Sequence, residues 1–101
     1  MAIYHSPYPP INVPTDKSLS QFLLLCNPDD VDESKTVVSD FDGQSEPLTY
    51  GSLRTNASKC AYALRHALGL KAGETVCIFG KNSANWALLA HSVMWMGGCF
   101  R

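Results

Sequence analysis

The sequence has 101 residues, of which 46% are hydrophobic and 17% are charged. This composition is typical of a globular protein and excludes disordered and fibrous classes, while the length allows one small domain with a single core. The net charge of −1 arises from 8 basic and 9 acidic residues without a basic run, which argues against nucleic-acid binding.

The first segment of the chain is rich in proline. Residues 7, 9, 10 and 14 are all prolines. Because proline fixes φ and lacks an amide donor, residues 1–17 are predicted to form an extended arm, with recognition by a proline-binding module as an alternative role. The arm contains no basic region followed by an apolar run, so no secretory signal is visible and a cytoplasmic protein is expected.

Residues 18–101 are predicted to form an α/β unit that begins with a short helix. Ser18 and Gln21 have capping-box spacing, and the helix should end before Asn27, which precedes a proline. In the acidic loop that follows, Asp30 and Asp32 have the spacing of calcium-loop ligands. Serine and lysine stand where a third ligand and the required glycine should be, so a solvated loop is the preferred interpretation.

A β-hairpin and a long helix come next. Residues 36–41 and 46–49 are predicted to be paired strands joined at the Asp-Gly turn of residues 42–43. Thr49 can cap a helix that ends at Gly69. One face of this helix is apolar, with residues at helical spacing: Leu53, Ala57, Cys60, Ala61, Leu64 and Leu68.

The last part of the chain is predicted to contain a strand, a helix and the start of another strand. The strand of residues 75–79 is apolar without alternation, which predicts a parallel sheet covered on both faces. Ser83 can cap a helix that runs to about Met96 and ends at a Gly-Gly pair. This helix, 83–96, is apolar nearly all round but falls short of the ~20 residues of a membrane span. Cys99-Phe100 would begin the next strand of a right-handed βαβ layer.

The spacing of the cysteines and of the histidines limits the chemistry that they can perform. The four cysteines are too far apart for a zinc or redox motif and are predicted to be buried free thiols: Cys26, Cys60, Cys77 and Cys99. The three histidines have no catalytic partner at a recognisable spacing: His5, His66 and His91. We expect His91 to be a core histidine with its hydrogen bonds satisfied.

The junction from strand to helix at residues 80–83 is the local motif that most resembles a phosphate-binding site. A helix N-terminus beside Lys81 can hold a phosphate, and a small nucleotide-binding module that uses Gly80 and Ser83 is one hypothesis. A Walker A loop, however, needs a glycine where Thr75 stands, and no dinucleotide fingerprint is present. Phosphate binding is therefore the weaker alternative.

Four segments together resemble the opening of the adenylate-forming superfamily of AMP-dependent synthetases and ligases. They are a Thr-Tyr-x-x-Leu helix start within 48–53, a Leu-Gly-x-x-x-Gly-Glu-x-Val turn and strand within 68–78, an Asn-Ser-x-x-Trp helix start at 82–86, and a Gly-Gly close within 93–98. The proline-rich arm resembles that of hydroxycinnamate and fungal aryl or acyl:CoA ligases. The resemblance covers essentially the whole chain.

This resemblance implies the N-terminal part of the large domain of such an enzyme. Members convert a carboxylate and ATP into an acyl-adenylate with magnesium, release pyrophosphate and pass the acyl group to coenzyme A. The family's nucleotide-binding and catalytic motifs have no counterpart in this sequence, so we expect no catalytic, cofactor-binding or metal-binding residue here. Ending at the first residues of a strand, the chain is expected to be a truncated, incomplete fold and inactive alone.

Two functions follow as hypotheses. The first is the N-terminal fragment of an acyl-CoA ligase, cytoplasmic, or peroxisomal in a full-length parent. The alternative is a non-catalytic interaction protein or split-ligase subunit that docks the remainder of a ligase, or another protein, through the apolar helix 83–96. On either hypothesis an exposed apolar face and marginal folding are expected.

Overall fold

The computed structural model describes residues 2–101. Three α-helices and two two-stranded sheets follow an exposed arm, and residues 2–13 of that arm have no regular secondary structure. The helices are α1 Leu19–Gln21, α2 Tyr50–His66 and α3 Ala84–Trp95, and the strands are β1 Thr36–Val38, β2 Leu48–Thr49, β3 Thr75–Val76 and β4 Cys99–Phe100.

The predicted capping box begins the first helix. The Ser18 hydroxyl accepts a hydrogen bond from the Gln21 amide, and the Gln21 side chain accepts one from the Ser18 amide. After α1 the chain continues as a π-helical turn, Phe22–Cys26, and ends at Asn27 with a left-handed φ of 44°. The predicted helix and its end before the proline are therefore confirmed, although most of it is π-helical.

The hairpin is present but its strands are shorter than predicted. β1 and β2 pair antiparallel, with Thr36 opposite Thr49 and Val38 opposite Leu48 and an irregularity between these pairs. Residues 39–47 form the connection, in which the Gly43 amide donates to the Asp40 carbonyl and Gly43 has a φ of 67°. The expected Asp-Gly turn thus lies inside a longer loop.

The helices α2 and α3 pack side by side and form most of the core. Thr49 caps α2 with a capping box, and the buried stripe of α2 is Leu53, Ala57, Ala61 and Leu64. The stripe faces a buried set on α3 that includes Val93, which is 0% exposed. Because alanines occupy the middle of the stripe, the two helices can approach closely. Leu68 lies beyond the end of α2 and is 71% exposed, so its predicted place in the stripe is wrong.

The second sheet is parallel, as predicted. Thr75 lies opposite Cys99 and Val76 opposite Phe100. The pairing continues past the strand ends, because the Arg101 amide donates to the Val76 carbonyl and the Ile78 amide donates to the Arg101 carbonyl. α3 connects the two strands, so β3, α3 and β4 form the expected βαβ unit.

Two predictions about burial in this region are wrong. Residues 75–79 are not covered on both faces, since Thr75, Cys77 and Phe79 are exposed, and Phe79 completely so. The cysteines are free but not buried: Cys26, Cys77 and Cys99 are exposed and Cys60 is intermediate. The sequence pattern shows that these residues are suited to a buried position. Within the described chain, however, α3 covers one face of the sheet and leaves the other face open.

No helix of the described residues is long and apolar enough to cross a membrane. The most apolar of them, α3, has 12 residues and spans about 18 Å, against a hydrocarbon thickness of about 30 Å.

Candidate functional site

The N-terminus of α3 is the place where the sequence pattern suggested a phosphate, and in the structure a carboxylate lies there. Asp40, from the loop after β1, accepts a hydrogen bond from the Ala84 amide through Oδ1. Its Oδ2 accepts from the Ser45 amide at 3.1 Å. The hydroxyl of Ser83 accepts from the Trp86 amide at 3.1 Å. Two of the amides that begin α3 are thus bonded to groups of the chain itself.

This arrangement disfavours a phosphate at the same place. Hydrogen bonds from Ser45 and from the Ala84 amide lower the pKa of Asp40, so the carboxylate is ionised near neutral pH. A phosphate would have to displace it from the helix terminus or bind beside a like charge. Lys81 is exposed. The geometry therefore argues against the hypothesis of a nucleotide-binding module built on Gly80 and Ser83.

The acidic loop is attached to α2 rather than arranged around a cation. Glu33 forms a two-point ion pair with Arg54, and the Glu33 carbonyl accepts from the Gly51 amide at 3.0 Å. Asp32 uses Oδ1 to accept from both the amide and the hydroxyl of Ser34. Within residues 2–101, no group of three His, Cys, Asp or Glu side chains is close enough to hold a metal ion.

His91 is partly buried and one of its two ring nitrogens is bonded, so the predicted core position is confirmed only in part. Its Nδ1 lies 2.8 Å from the hydroxyl of Ser20, which is 0% exposed, so the bond fastens α1 to α3. Burial lowers the pKa of His91, which favours the neutral ring. His5 and His66 are exposed, and His66 stacks on Tyr62 with ring centroids 4.2 Å apart. The three histidines do not come together.

The β3–β4 sheet has one covered and one open face. Val76, Ile78 and Phe100 point towards α3, where the Phe100 ring meets Trp86 edge-on with centroids 5.7 Å apart. Alternate residues point the other way. We call these exposed residues the open sheet face: Thr75, Cys77, Phe79, Cys99 and Arg101. Parallel sheets are found almost exclusively with both faces covered, so a further layer of structure is expected to pack on this face.

The apolar helix 83–96 is less available than its composition suggests. Along α3 only Asn85 is exposed, and every other residue is buried or partly buried. The helix lies between α2 and the sheet and also contacts α1. In the β3–β4 sheet the fully exposed large apolar side chain is Phe79, on the open sheet face.

Sequence reasoning missed the two contacts that organise this region. Asp40 was assigned to a strand, and nothing local connects it to Ala84, which lies 44 positions away. Ser20 lies within the predicted first helix, and no local pattern connects it to His91, which lies 71 positions away. His91, a polar residue in an apolar helix, was the available signal, because Ser20 and Asp40 both lie among other polar residues.

Comparison with known proteins gives a consistent result. Residues 29–100 match the family model described as AMP-binding enzyme. Over 98 residues the chain is 29% identical to the protein named 4-coumarate--CoA ligase-like 1 from Arabidopsis thaliana. That alignment covers 97% of this chain and 17% of the relative, so the chain spans less than a fifth of the relative's length.

Two solved structures share the arrangement of helices and strands. The anthranilate CoA ligase AuaEII in complex with anthranoyl-AMP matches with a TM-score of 0.68 and 23% identity, over 83% of this chain and 15% of that chain. The crystal structure of CmiS6 matches with a TM-score of 0.60 and 23% identity, over 94% of this chain and 25% of that chain. These likenesses confirm the incomplete α/β arrangement predicted from the sequence.

Proposed function

We propose that this chain, which belongs to the AMP-binding enzyme family, provides the N-terminal scaffold of an acyl-CoA ligase of the hydroxycinnamate or aryl type. The complete reaction joins a carboxylate to the α-phosphate of ATP with loss of pyrophosphate, and then transfers the acyl group to the thiol of coenzyme A. The proposal assigns this reaction to a larger assembly, in the cytoplasm, and a structural role to the chain itself.

The open sheet face carries the proposal. Phe79 is 102% exposed, and Cys77 and Cys99 lie on the same face. Apolar strand residues of this kind are stabilised by burial, at roughly 25 cal/mol for each Å² removed from water. The unpaired edges of β3 and β4 offer backbone groups for further strands as well. Both features fit a unit that is completed by the remainder of a ligase.

The chemistry of adenylate formation is not supported by the residues described. Adenylate formation needs hydrogen-bond donors and a cation directed at the negative charge that develops around the α-phosphate and the leaving pyrophosphate. Here the helix N-terminus nearest to Lys81 faces the carboxylate of Asp40. Residues 2–101 also lack a cluster of acidic side chains suited to magnesium. The side chains present thus do not fit ATP and magnesium, and we propose that the chain alone forms no acyl-adenylate.

Exchange of labelled pyrophosphate into ATP tests this assignment. The chain alone, given a panel of hydroxycinnamates and benzoates with ATP and magnesium, should give no exchange above the blank. A chimera in which the chain replaces the matched 17% of the Arabidopsis relative should retain acid-dependent exchange. Exchange by the chain alone would contradict the structural role. A chimera that folds and binds ATP but gives no exchange would contradict the scaffold assignment.

A second candidate is a non-catalytic interaction protein or separate subunit of a split ligase. The same exposed apolar surface favours it, and its partner would be the remainder of a ligase supplied as another polypeptide. Co-expression with that remainder distinguishes the two: a stable 1:1 complex with exchange activity supports the split subunit, whereas activity confined to the covalent chimera supports a single-chain enzyme.

A further inference from the structure

The cleft beside His91 is a second candidate site, separate from the open sheet face. It lies where the π-helical turn, the loop after it, β1, α2 and α3 meet, and its volume is about 210 Å³. A larger concave surface runs along the arm, but arm residues alone line it and it has no opposing wall. A cavity of ~150 Å³ with apolar walls is large enough for benzene, so the His91 cleft has room for one ring with a small substituent.

The walls of the cleft are apolar, and most of its polar groups are already bonded. The apolar lining comes from Leu23, Leu24, Val31, Val37 and Leu53. The Asn27 side chain both donates to and accepts from the backbone of Val31, at 2.9 and 2.8 Å. The Tyr50 hydroxyl donates to the Leu23 carbonyl. π-Helical turns are rare and often lie at functional sites, and this one supplies two of the wall residues.

The hydrogen bond between Ser20 and His91 decides what the imidazole offers to a ligand. The buried Ser20 hydroxyl has His91 Nδ1 as its partner within residues 2–101, and we assign the hydroxyl hydrogen to this bond because the opposite direction would leave a buried donor without an acceptor. A neutral ring that accepts at Nδ1 must carry its own hydrogen on Nε2. Burial lowers the His91 pKa and so maintains this neutral form near pH 7. His91 lines the cleft, and its Nε2 makes no hydrogen bond within residues 2–101, so this nitrogen is the donor that remains for a ligand.

The negative charge at the rim of the cleft restricts the kinds of ligand that can bind there. Asp29 is exposed and lines the same cleft. An anion that reached the His91 donor would be placed near this carboxylate, whereas a neutral acceptor would avoid that repulsion. We infer that the cleft binds a small neutral ring compound that carries a carbonyl acceptor, with the carbonyl bonded to His91 Nε2 and the ring between Leu24, Val31 and Leu53.

This inference goes beyond the scaffold role and is independent of it. The ligands excluded here, aryl carboxylates, are the acids expected for the ligase reaction. The cleft is therefore not proposed as the acid-binding pocket, and failure of either proposal leaves the other standing.

Three probes of nearly equal shape test the inference: acetophenone, isopropylbenzene and benzoate. Titration of the full chain, followed by ¹H–¹⁵N NMR, should give shifts at the cleft residues with acetophenone. Acetophenone should bind roughly three- to tenfold more tightly than isopropylbenzene, which corresponds to one neutral hydrogen bond, and benzoate should bind most weakly. The imidazole ¹⁵N spectrum should show the hydrogen on Nε2.

Variants distinguish hydrogen bonding to His91 from nonspecific hydrophobic binding of the probes. His91→Phe combined with Ser20→Ala leaves no buried hydroxyl without a partner and should abolish the preference for acetophenone over isopropylbenzene. His66→Phe, at an exposed position outside the cleft, is the matched control and should leave the preference intact. Equal affinity for all three probes, shifts that lie outside the cleft, a hydrogen on Nδ1, or a preference that persists in the double variant would each overturn the inference.

Discussion

Replacing Gly51 with alanine sets two opposing effects against each other at the start of α2. Alanine is more favourable than glycine inside a helix by about 1 kcal/mol. A Cβ at this position, however, would lie 2.6 Å from Glu33 Oε2 and 3.3 Å from the Glu33 carbonyl oxygen. The first distance is shorter than any real contact of a Cβ, so the Glu33 side chain must move away from Arg54.

The Glu33 carboxylate is the free end of an exposed side chain, so it can move aside at the cost of its ion pair with Arg54, and this loss offsets part of the helical gain of about 1 kcal/mol. We therefore expect Gly51→Ala to change the free energy of unfolding of the parent chain by less than about 0.5 kcal/mol. In a Glu33→Ala background the closest contact is gone and only the 3.3 Å approach remains. The same substitution should then be stabilising by about 0.5–1 kcal/mol, because no ion pair is left to lose.

Urea unfolding of the four proteins in this cycle, followed by the fluorescence of Trp86 and Trp95, measures the difference. Gly80→Ala is the control, because nothing lies within 4 Å of its Cβ and its backbone is not left-handed. It should change stability by less than about 0.5 kcal/mol. An equal change in stability for Gly51→Ala in both backgrounds would refute the proposed contact between the acidic loop and α2.

Three further predictions concern titration and exposure. Because burial lowers the pKa of His91 in the folded chain, stability should be full above about pH 6.5 and fall as the pH drops below that value. His91→Gln should flatten this pH dependence in urea titrations from pH 7.5 to 5. An unchanged slope would count against the burial of His91. The lowered pKa of Asp40 means that its ionised carboxylate stabilises α3 above about pH 3.8 and that this effect is lost in acid. Asp40→Asn should therefore lower the melting temperature at pH 7 but not at pH 2, and it should speed amide exchange at Ala84. Equal melting temperatures of the two proteins at pH 7 would contradict this. Phe79→Ser should leave stability within about 0.5 kcal/mol and reduce the binding of a hydrophobic dye, and unchanged dye binding would show that the exposed apolar surface lies elsewhere.

Local signals predicted the ends of the helices well, and distant contacts account for what the sequence did not predict. Ser18, Thr49 and Ser83 each cap the helix expected of them, because a cap depends on residues only three positions away. The bonds from Asp40 to α3 and from Ser20 to His91 join residues that no local pattern connects.

Burial was predicted less well than secondary structure. An apolar run indicates that a strand is suited to burial on both faces. Such burial requires a packed layer on each face of the sheet. Residues 75–79 and Cys99 are suited to a covered sheet, yet the described chain covers one face only. The same mismatch that made the prediction wrong is the observation from which the scaffold role is proposed.

Alkylation of Cys77 tests the scaffold role most directly. Cys77 lies on the open sheet face, whereas Cys26, which is also exposed, lies on the π-helical turn and serves as the internal control. In the chain alone both thiols should react with iodoacetamide at similar rates. When the chain replaces its counterpart in the Arabidopsis ligase-like relative, Cys77 should become protected while Cys26 continues to react. Fast, unchanged alkylation of Cys77 in an active chimera would contradict the claim that the remainder of a ligase covers this face.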